Sequence, residues 1–411
     1  MLKCSLAALA SACLIVAAEV PRELAPDDAV RLALENRAEV DAARARVEAR
    51  EGDALQASLR PNPTFSFQSE NWRAWGDPSL NFGRDMNIFL SASQTIETGG
   101  KRRLRSEQAD AASEAARLEA EVFRWAVRAE TLDAYERARL ADSRLALLDR
   151  SVAVARELAR YHRVRFEEGA GSELDFIRVQ TALHQVQADQ QAAAISAEQA
   201  RFALFQAMGL ARPSEPVNLI ASEPAAAPPP IPNDGPLHPQ MRLAAARLEQ
   251  ARRAERVAAA AATPNVTPYL GYKRDGPFNT LIGGVSVPLT VSNRNQGGRA
   301  SAAAQVRQAE AEMRATGALL TARVDAAQSA WGRSASLLES LQSGAVNRAA
   351  EAYRIVFAAY QEDAVPLTDV LVARRTQTET ELLLVEAHGR YRLARRAYEA
   401  ALGRPLPEVQ R

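Results

Sequence analysis

One stretch constrains this chain more than any other: from Lys101 to Phe166 it holds neither proline nor glycine. About 65 residues without a breaker predict a continuous helix near 100 Å long, at 1.5 Å per residue. Apolar residues recur along it at alternating three and four spacing, at Ala115, Leu118, Val122, Trp125, Ala129 and Leu132. The segment after it repeats the rhythm at Val179, Leu183, Val186, Ala193, Ala197, Ala200 and Leu204, with Gln190 in the series. Sustained spacing of this kind is a coiled-coil seam. A helix of this length cannot hide its seam inside a compact core, so it must pack along neighbours or other chains. The composition agrees. Of 411 residues 47% are hydrophobic, but only 6% are aromatic, as expected where helix walls replace a thick core. The charges, 51 Lys+Arg against 50 Asp+Glu for a net +1, argue against a basic nucleic-acid binder and an acidic disordered tail.

The chain also reads as two copies of one unit. Val40–Glu48 resembles Met241–Glu249, and Arg60-Pro61-Asn62 is echoed by Thr263-Pro264-Asn265. Gly99-Gly100-Lys101 stands where the second copy has Gly297-Gly298-Arg299, Phe166–Asp175 matches Tyr360–Asp369, and Ala203–Gly209 matches Ala397–Gly403. Between the copies, Arg212 to Pro239 carries proline at nine positions, which reads as an extended connector. The expected organisation is a leader at 1–18, a first repeat at 19–210, a connector at 211–236, a second repeat at 237–405 and a tail at 406–411. Each repeat should run helix, two strands, very long helix, turn, helix. The opening helix is expected from Asp27 to about Leu59 in the first copy, and from about His238 to Ala262 in the second.

The strands alternate. In Thr64–Gln68 the phenylalanines face one way and the polar residues the other; in Ile88–Ile96 the even positions are largely apolar. Tyr269–Tyr272 and Leu281–Leu289 follow less cleanly. Each strand is about ten residues, the length of a tilted transmembrane barrel strand. Loops are expected at Trp72–Met86 and Arg274–Thr280. Lys3 followed by apolar Leu6–Val16 and small Ala17-Ala18 reads as a secretory leader that takes Cys4 and Cys13 with it. The rival reading, acylation at Cys13, fits poorly with the apolar Leu14-Ile15-Val16 directly behind it.

Beyond these patterns, Leu24-Ala25-Pro26-Asp27-Asp28-Ala29-Val30 opens the chain as in the TolC-like outer-membrane factor family, which the mature chain resembles over nearly its whole length. Gln94–Arg102 and Val287–Gly297 resemble the heavy-metal efflux branch typified by CzcC. The resemblance implies a mainly α fold with a small β part. Three chains would each give four strands to a twelve-stranded transmembrane barrel in the outer membrane of a Gram-negative bacterium, above a long periplasmic coiled-coil cylinder. It implies a homotrimer working with a periplasmic adaptor protein and an inner-membrane RND-type pump driven by protons. The cargo would be divalent heavy-metal cations; export of drugs or organic compounds is the alternative cargo, and a periplasmic coiled-coil adaptor without a barrel is a rival of another class.

No enzyme chemistry is expected. Gly99-Gly100-Lys101-Arg102 lacks the phosphate-loop pattern, since Thr95 stands where its first glycine belongs and Arg102 where Ser or Thr belongs. The histidines His162, His184, His238 and His388 are scattered, so no metal or cofactor site is expected. The candidate residues cluster at the turns between the long helices. Glu173 and Asp175 flank the first turn; Glu362, Asp363 and Asp369 flank the second. Repeated threefold, such carboxylates would ring a narrow opening and favour cations. By the resemblance, Asp369 lines the periplasmic entrance, with Asp175 as its repeat counterpart. Gly169, Gly171, Ser172, Pro366 and Leu367 would form the adaptor-docking turns. Ser172 with Asp175 has capping-box spacing, and Pro366 is placed as a first-turn proline. Asp363 departs from the family, which often carries glycine there.

Overall fold

The computed structural model describes residues 20–71, 85–211, 216–220 and 238–405. The expected leader, most of the connector, the tail and nearly all of loop 72–86 lie outside them. The elements run in the order β1 (Glu23–Leu24), α1 (Pro26–Asn36), α2 (Ala38–Ser58), β2 (Thr64–Glu70), β3 (Asn87–Ser93), α3 (Lys101–Glu167), α4 (Glu173–Ala207), β4 (Asn218–Leu219), α5 (Pro239–Ala260), β5 (Thr267–Asp275), β6 (Phe278–Ser286), α6 (Gln296–Ser340), a π segment (Leu341–Ala345), α7 (Val346–Gln361) and α8 (Leu367–Leu402). Among the described residues no helix is long and apolar enough to cross a membrane. The chain forms two compact units. The first comprises Met1–Val40, Arg124–Gly235 and Ala322–Arg411; the second, Asp41–Phe123 and Pro236–Thr321. Helix α3 contributes to both.

The helix expected over Lys101–Phe166 is continuous to Glu167. Two other expectations need correction. The opening helix is broken at Arg37, which is extended (φ −76°, ψ 114°) and caps α1 by donating its N–H to the Ala33 carbonyl. The helix after Gly297 is interrupted at Leu341–Ala345, where Gly344 sits at φ 141°. That backbone region is nearly closed to residues with a Cβ, so Gly344 is what permits the break.

In the second unit the strands form one antiparallel sheet in the order β2-β3-β5-β6. The central β3–β5 pairing joins the two halves of the chain. The expected loop Arg274–Thr280 shrinks to a two-residue hairpin turn, Gly276-Pro277, with Gly276 at φ 55°, the first-position glycine of a primed turn. The Gly276 N–H donates to Asn87 Oδ1 at 3.2 Å. At the opposite end, an isolated bridge between Ile96 and Val266 extends the sheet toward the helices.

The first unit has a more closed interior. Trp331, Tyr391 and Tyr398 form one buried aromatic cluster between α6 and α8. The buried Tyr135 hydroxyl lies 2.6 Å from the Leu24 carbonyl and 2.8 Å from that of Ile220, tying the β1–β4 pair to α3. Its single proton can serve only one carbonyl at a time, and burial pushes its pKa up to about 12.

Candidate functional site

The register sorts the sheet's side chains by chemistry. Directly paired residues share a face, so Phe65–Ala92–Leu270–Gly283 and Phe67–Leu90–Tyr272–Leu281 form two rows on one side. The other side carries Thr64, Ser66, Gln68, Ser91, Ser93, Lys273 and Thr280, with Phe89, Tyr269, Phe278 and Ile282 as its larger members. The apolar face is uncovered: Phe65 is 69% exposed, Phe67 65% and Leu281 79%. Both edge strands, β2 and β6, have one neighbour each among the described residues.

A separate candidate site is the pair of turns between the long helices, in the first unit. Both end on the same hydrogen bonds. In the first, Gly169 N–H donates to the Phe166 carbonyl and Ala170 N–H to that of Arg165; in the second, Asp363 N–H donates to Tyr360 and Ala364 N–H to Ala359. This is the Schellman pattern, and its C′ residue must be left-handed. Gly169 has φ 70° and Asp363 φ 55°. The departure at Asp363 therefore keeps the turn geometry, because Asp tolerates this region better than most side chains. Gly171 is needed for space instead: a Cβ there would meet the Arg165 backbone and side chain at 3.2 Å.

Two local expectations change. Ser172 is the N-cap of α4, but its side chain makes no capping hydrogen bond, so the capping box does not form. Pro366 is itself the N-cap of α8, and Leu367 takes the first helical position. Leu367 is 2% exposed; it packs with Ala159, Val179 and Val370, covered by Leu158, Leu183, Phe357 and Tyr360. Its role here is to anchor the turn. Gly169, Ser172 and Pro366 remain exposed.

The acids separate into two groups. Glu173, Glu362, Asp363 and Asp369 are exposed. Asp175 is partly covered and pairs with Arg178 at 3.5 Å. Among the described residues no three His, Cys, Asp or Glu are grouped to hold a metal ion. Beside the turns lies an apolar groove of about 340 Å³ between α3, α4, α7 and α8, lined by Leu158, Val179, Leu183, Tyr353 and Val372 among others.

Two clusters escape sequence reasoning. His162 is 4% exposed, with Nε2 3.4 Å from the Tyr360 hydroxyl and the Tyr161 ring edge-on. Burial lowers its pKa, Asp175 raises it and Arg165 lowers it, so it rests neutral at the meeting of the two hairpins. Deeper in the first unit, Glu136 lies beside three arginines: Arg392 at 3.0 Å, Arg139 at 3.5 Å and Arg396 at 3.8 Å. Arg396 also pairs with Glu399 at 2.9 Å. Burial lowers the Arg392 pKa, with Arg139 adding to the effect. This network ties α3 to α8, yet in sequence each member looks like part of a solvated helix face.

Comparison with known proteins follows the same lines. The family profile "Outer membrane efflux protein" matches residues 29–210 and 237–404. The chain is 26% identical over 393 residues to the cobalt-zinc-cadmium resistance protein CzcC of Cupriavidus metallidurans, spanning 93% of this chain and 92% of that protein. Its fold matches that of CusC, whose crystal structures concern transmembrane channel formation, with TM-score 0.78 at 15% identity over 92% of each chain. It also matches the outer-membrane protein VceC of Vibrio cholerae, with TM-score 0.74 at 19% identity over 92% of this chain and 96% of that one. The chain belongs to the outer membrane efflux protein family, whose members are channels of the Gram-negative outer membrane and not enzymes.

Proposed function

We propose that the chain is one of three protomers of a passive exit duct for divalent metal cations, fed by a proton-driven RND-type inner-membrane pump through a periplasmic adaptor. The observation that carries this reading is the sheet: four strands with one apolar face, one polar face and two edges that no described strand pairs. In hydrocarbon an open edge leaves backbone N–H and C=O groups without partners, at a cost of several kcal/mol per group. Closing the edges against two further copies gives twelve strands, apolar outward and polar inward. The two-repeat organisation, with repeats at 19–210 and 237–405 joined by the connector 211–236, is supported by the matching order of helices and strands and by the two stretches of family match.

The helical turns would be the inner entrance. Glu173, Glu362, Asp363 and Asp369, each present three times, would draw cations toward it, with Asp175 behind them in its pair with Arg178. Gly169, Gly171, Ser172 and Pro366 would offer backbone to the adaptor, held in place by Leu367. The metal cargo is supported by the likeness to CzcC and by this acidic excess. Selectivity would rest mainly in the pump.

The test is a deletion strain assayed for tolerance to Zn, Co, Cd, Ni and Cu. Lost tolerance to at least one metal, restored by the gene, is expected. Unchanged tolerance to all five with lost tolerance to dyes or antibiotics would overturn the metal cargo and leave the duct.

A further inference from the structure

The four connections between strands and helices gather at one end of the sheet, and this junction is tightly tied. Gln94 Nε2 donates to the Pro61 carbonyl at 2.8 Å, and Lys101 Nζ to Asn265 Oδ1 at 2.7 Å. Thr98 donates to the Pro264 carbonyl, Arg105 Nε to that of Ala57 at 3.0 Å, and Asn295 Nδ2 to that of Ala258 at 2.8 Å. On this rigid belt stand Arg60, Arg102, Arg256, Arg294 and Arg299, all exposed. The nearby acids are fewer. Glu97 is held by Arg105 and Glu107 by Arg103, leaving Glu255, which shares a groove with Arg256 and Arg299. Arg102 stands in the first turn of α3, which carries no acidic residue and where the helix dipole disfavours a cation; Glu97, already held by Arg105, is the acid that senses its charge.

Beside these arginines lie apolar side chains with no cover. Val287, Leu289 and Val291 follow β6 directly, and Leu289 is 83% exposed and Val291 75%. They lie at the helix end of the sheet, where Ile96 is also exposed. The opposite end of the sheet is different: there Lys273 pairs with Asp275 at 3.0 Å, and Arg274 and Glu70 add one charge of each sign, so its strand charges balance. Apolar groups beside a surplus of arginines fit one environment, the boundary between acyl chains and anionic headgroups.

We propose that this junction is a docking surface for anionic phospholipid headgroups of the leaflet nearest the helices, with Arg102, Arg294 and Arg299 on the phosphates and Val287, Leu289 and Val291 among the acyl chains. The proposal rests on the barrel reading above. It gives these arginines an anionic partner on the membrane side, and it sets how deep the sheet sits in the bilayer.

The full chain is reconstituted into vesicles of phosphatidylcholine mixed with phosphatidylglycerol, re-extracted in mild detergent, and its retained lipid analysed by headgroup. The expected result is phosphatidylglycerol enriched over the bulk mixture, with each removed arginine lowering the enrichment by a factor of up to about five. R102Q/R294Q/R299Q should lose the enrichment, and R102K/R294K/R299K should keep it, which separates charge from folding. Retained lipid that matches the bulk, or enrichment that survives the triple glutamine variant, overturns the proposal while the barrel stands. Failure to insert into vesicles of either phosphatidylcholine alone or the mixture overturns the barrel reading and the proposal with it.

Discussion

On the sheet, Phe65, Phe67, Leu270 and Leu281 are largely exposed among the described residues, whereas at the helical turns Leu367, Val370 and His162 are enclosed by α3, α4, α7 and α8. The apolar residues of the two regions are chemically alike. What differs is who supplies the cover. The turns complete their packing within one chain, so each hairpin can hold its acids in place before any partner arrives. On the proposed barrel reading the sheet cannot: its apolar face would be covered by lipid and its edges by other copies. The prediction is that insults to the sheet show in assembly, and insults to the turns show in local stability and transport.

The largest effect should come from Leu281→Arg. A charge on the lipid face costs about 2–4 kcal/mol at mid-membrane, three times over in a trimer, so outer-membrane trimers should vanish. Ser91→Arg on the polar face should leave them intact. If both behave alike, the two faces have been misassigned. Next, Leu367→Ala removes a buried anchor and should cost about 2–5 kcal/mol. Hydrogen exchange should rise around Phe357–Leu371 while trimers persist. Gly169→Ala should cost about 1–2 kcal/mol through left-handed strain, whereas Asp363→Gly should relieve strain at the matching turn and give a small gain in thermal stability. Equal losses from both would show that the turns are not equivalent.

The smallest effect concerns pH. Burial holds the His162 pKa below its unfolded value near 6.5. Between those two values the unfolded chain binds the proton and the folded chain does not, so stability is present above the unfolded pKa and falls as pH drops toward the folded one. His162→Gln should flatten the dependence of Tm on pH between about 5 and 7; an unchanged slope would place the sensitivity elsewhere.

Much of this was legible in the sequence where a rule acts locally. The lack of Pro and Gly over Lys101–Phe166 gives α3, and the alternation at Phe65 and Phe67 gives a face that the register then extends over four strands. The break at Arg37 was not legible, because neither glycine nor proline marks it and the extended residue is an ordinary arginine. The break at Gly344 had a visible glycine, but glycines such as Gly332 sit within α6 without breaking it. His162 looked isolated because Tyr360 lies 198 residues away. The Glu136 network hid for the same reason: Arg392 is 256 residues from it, and no spacing rule reaches that far. The acids at the turns were found by sequence, but their division was not. Asp175 lies against Arg178, while Asp369 stands exposed two residues after Leu367.

The central claim is that β2 of one chain meets β6 of the next. Ser66→Cys on β2 is combined in turn with Thr280→Cys, Ile282→Cys and Ser286→Cys on β6, all on the polar face. The native Cys4 and Cys13 lie in the expected leader. After oxidation in outer membranes, at least one pair should give a ladder of two and three covalently joined chains on denaturing gels, reversed by reductant. Single chains at every placement would contradict the shared barrel.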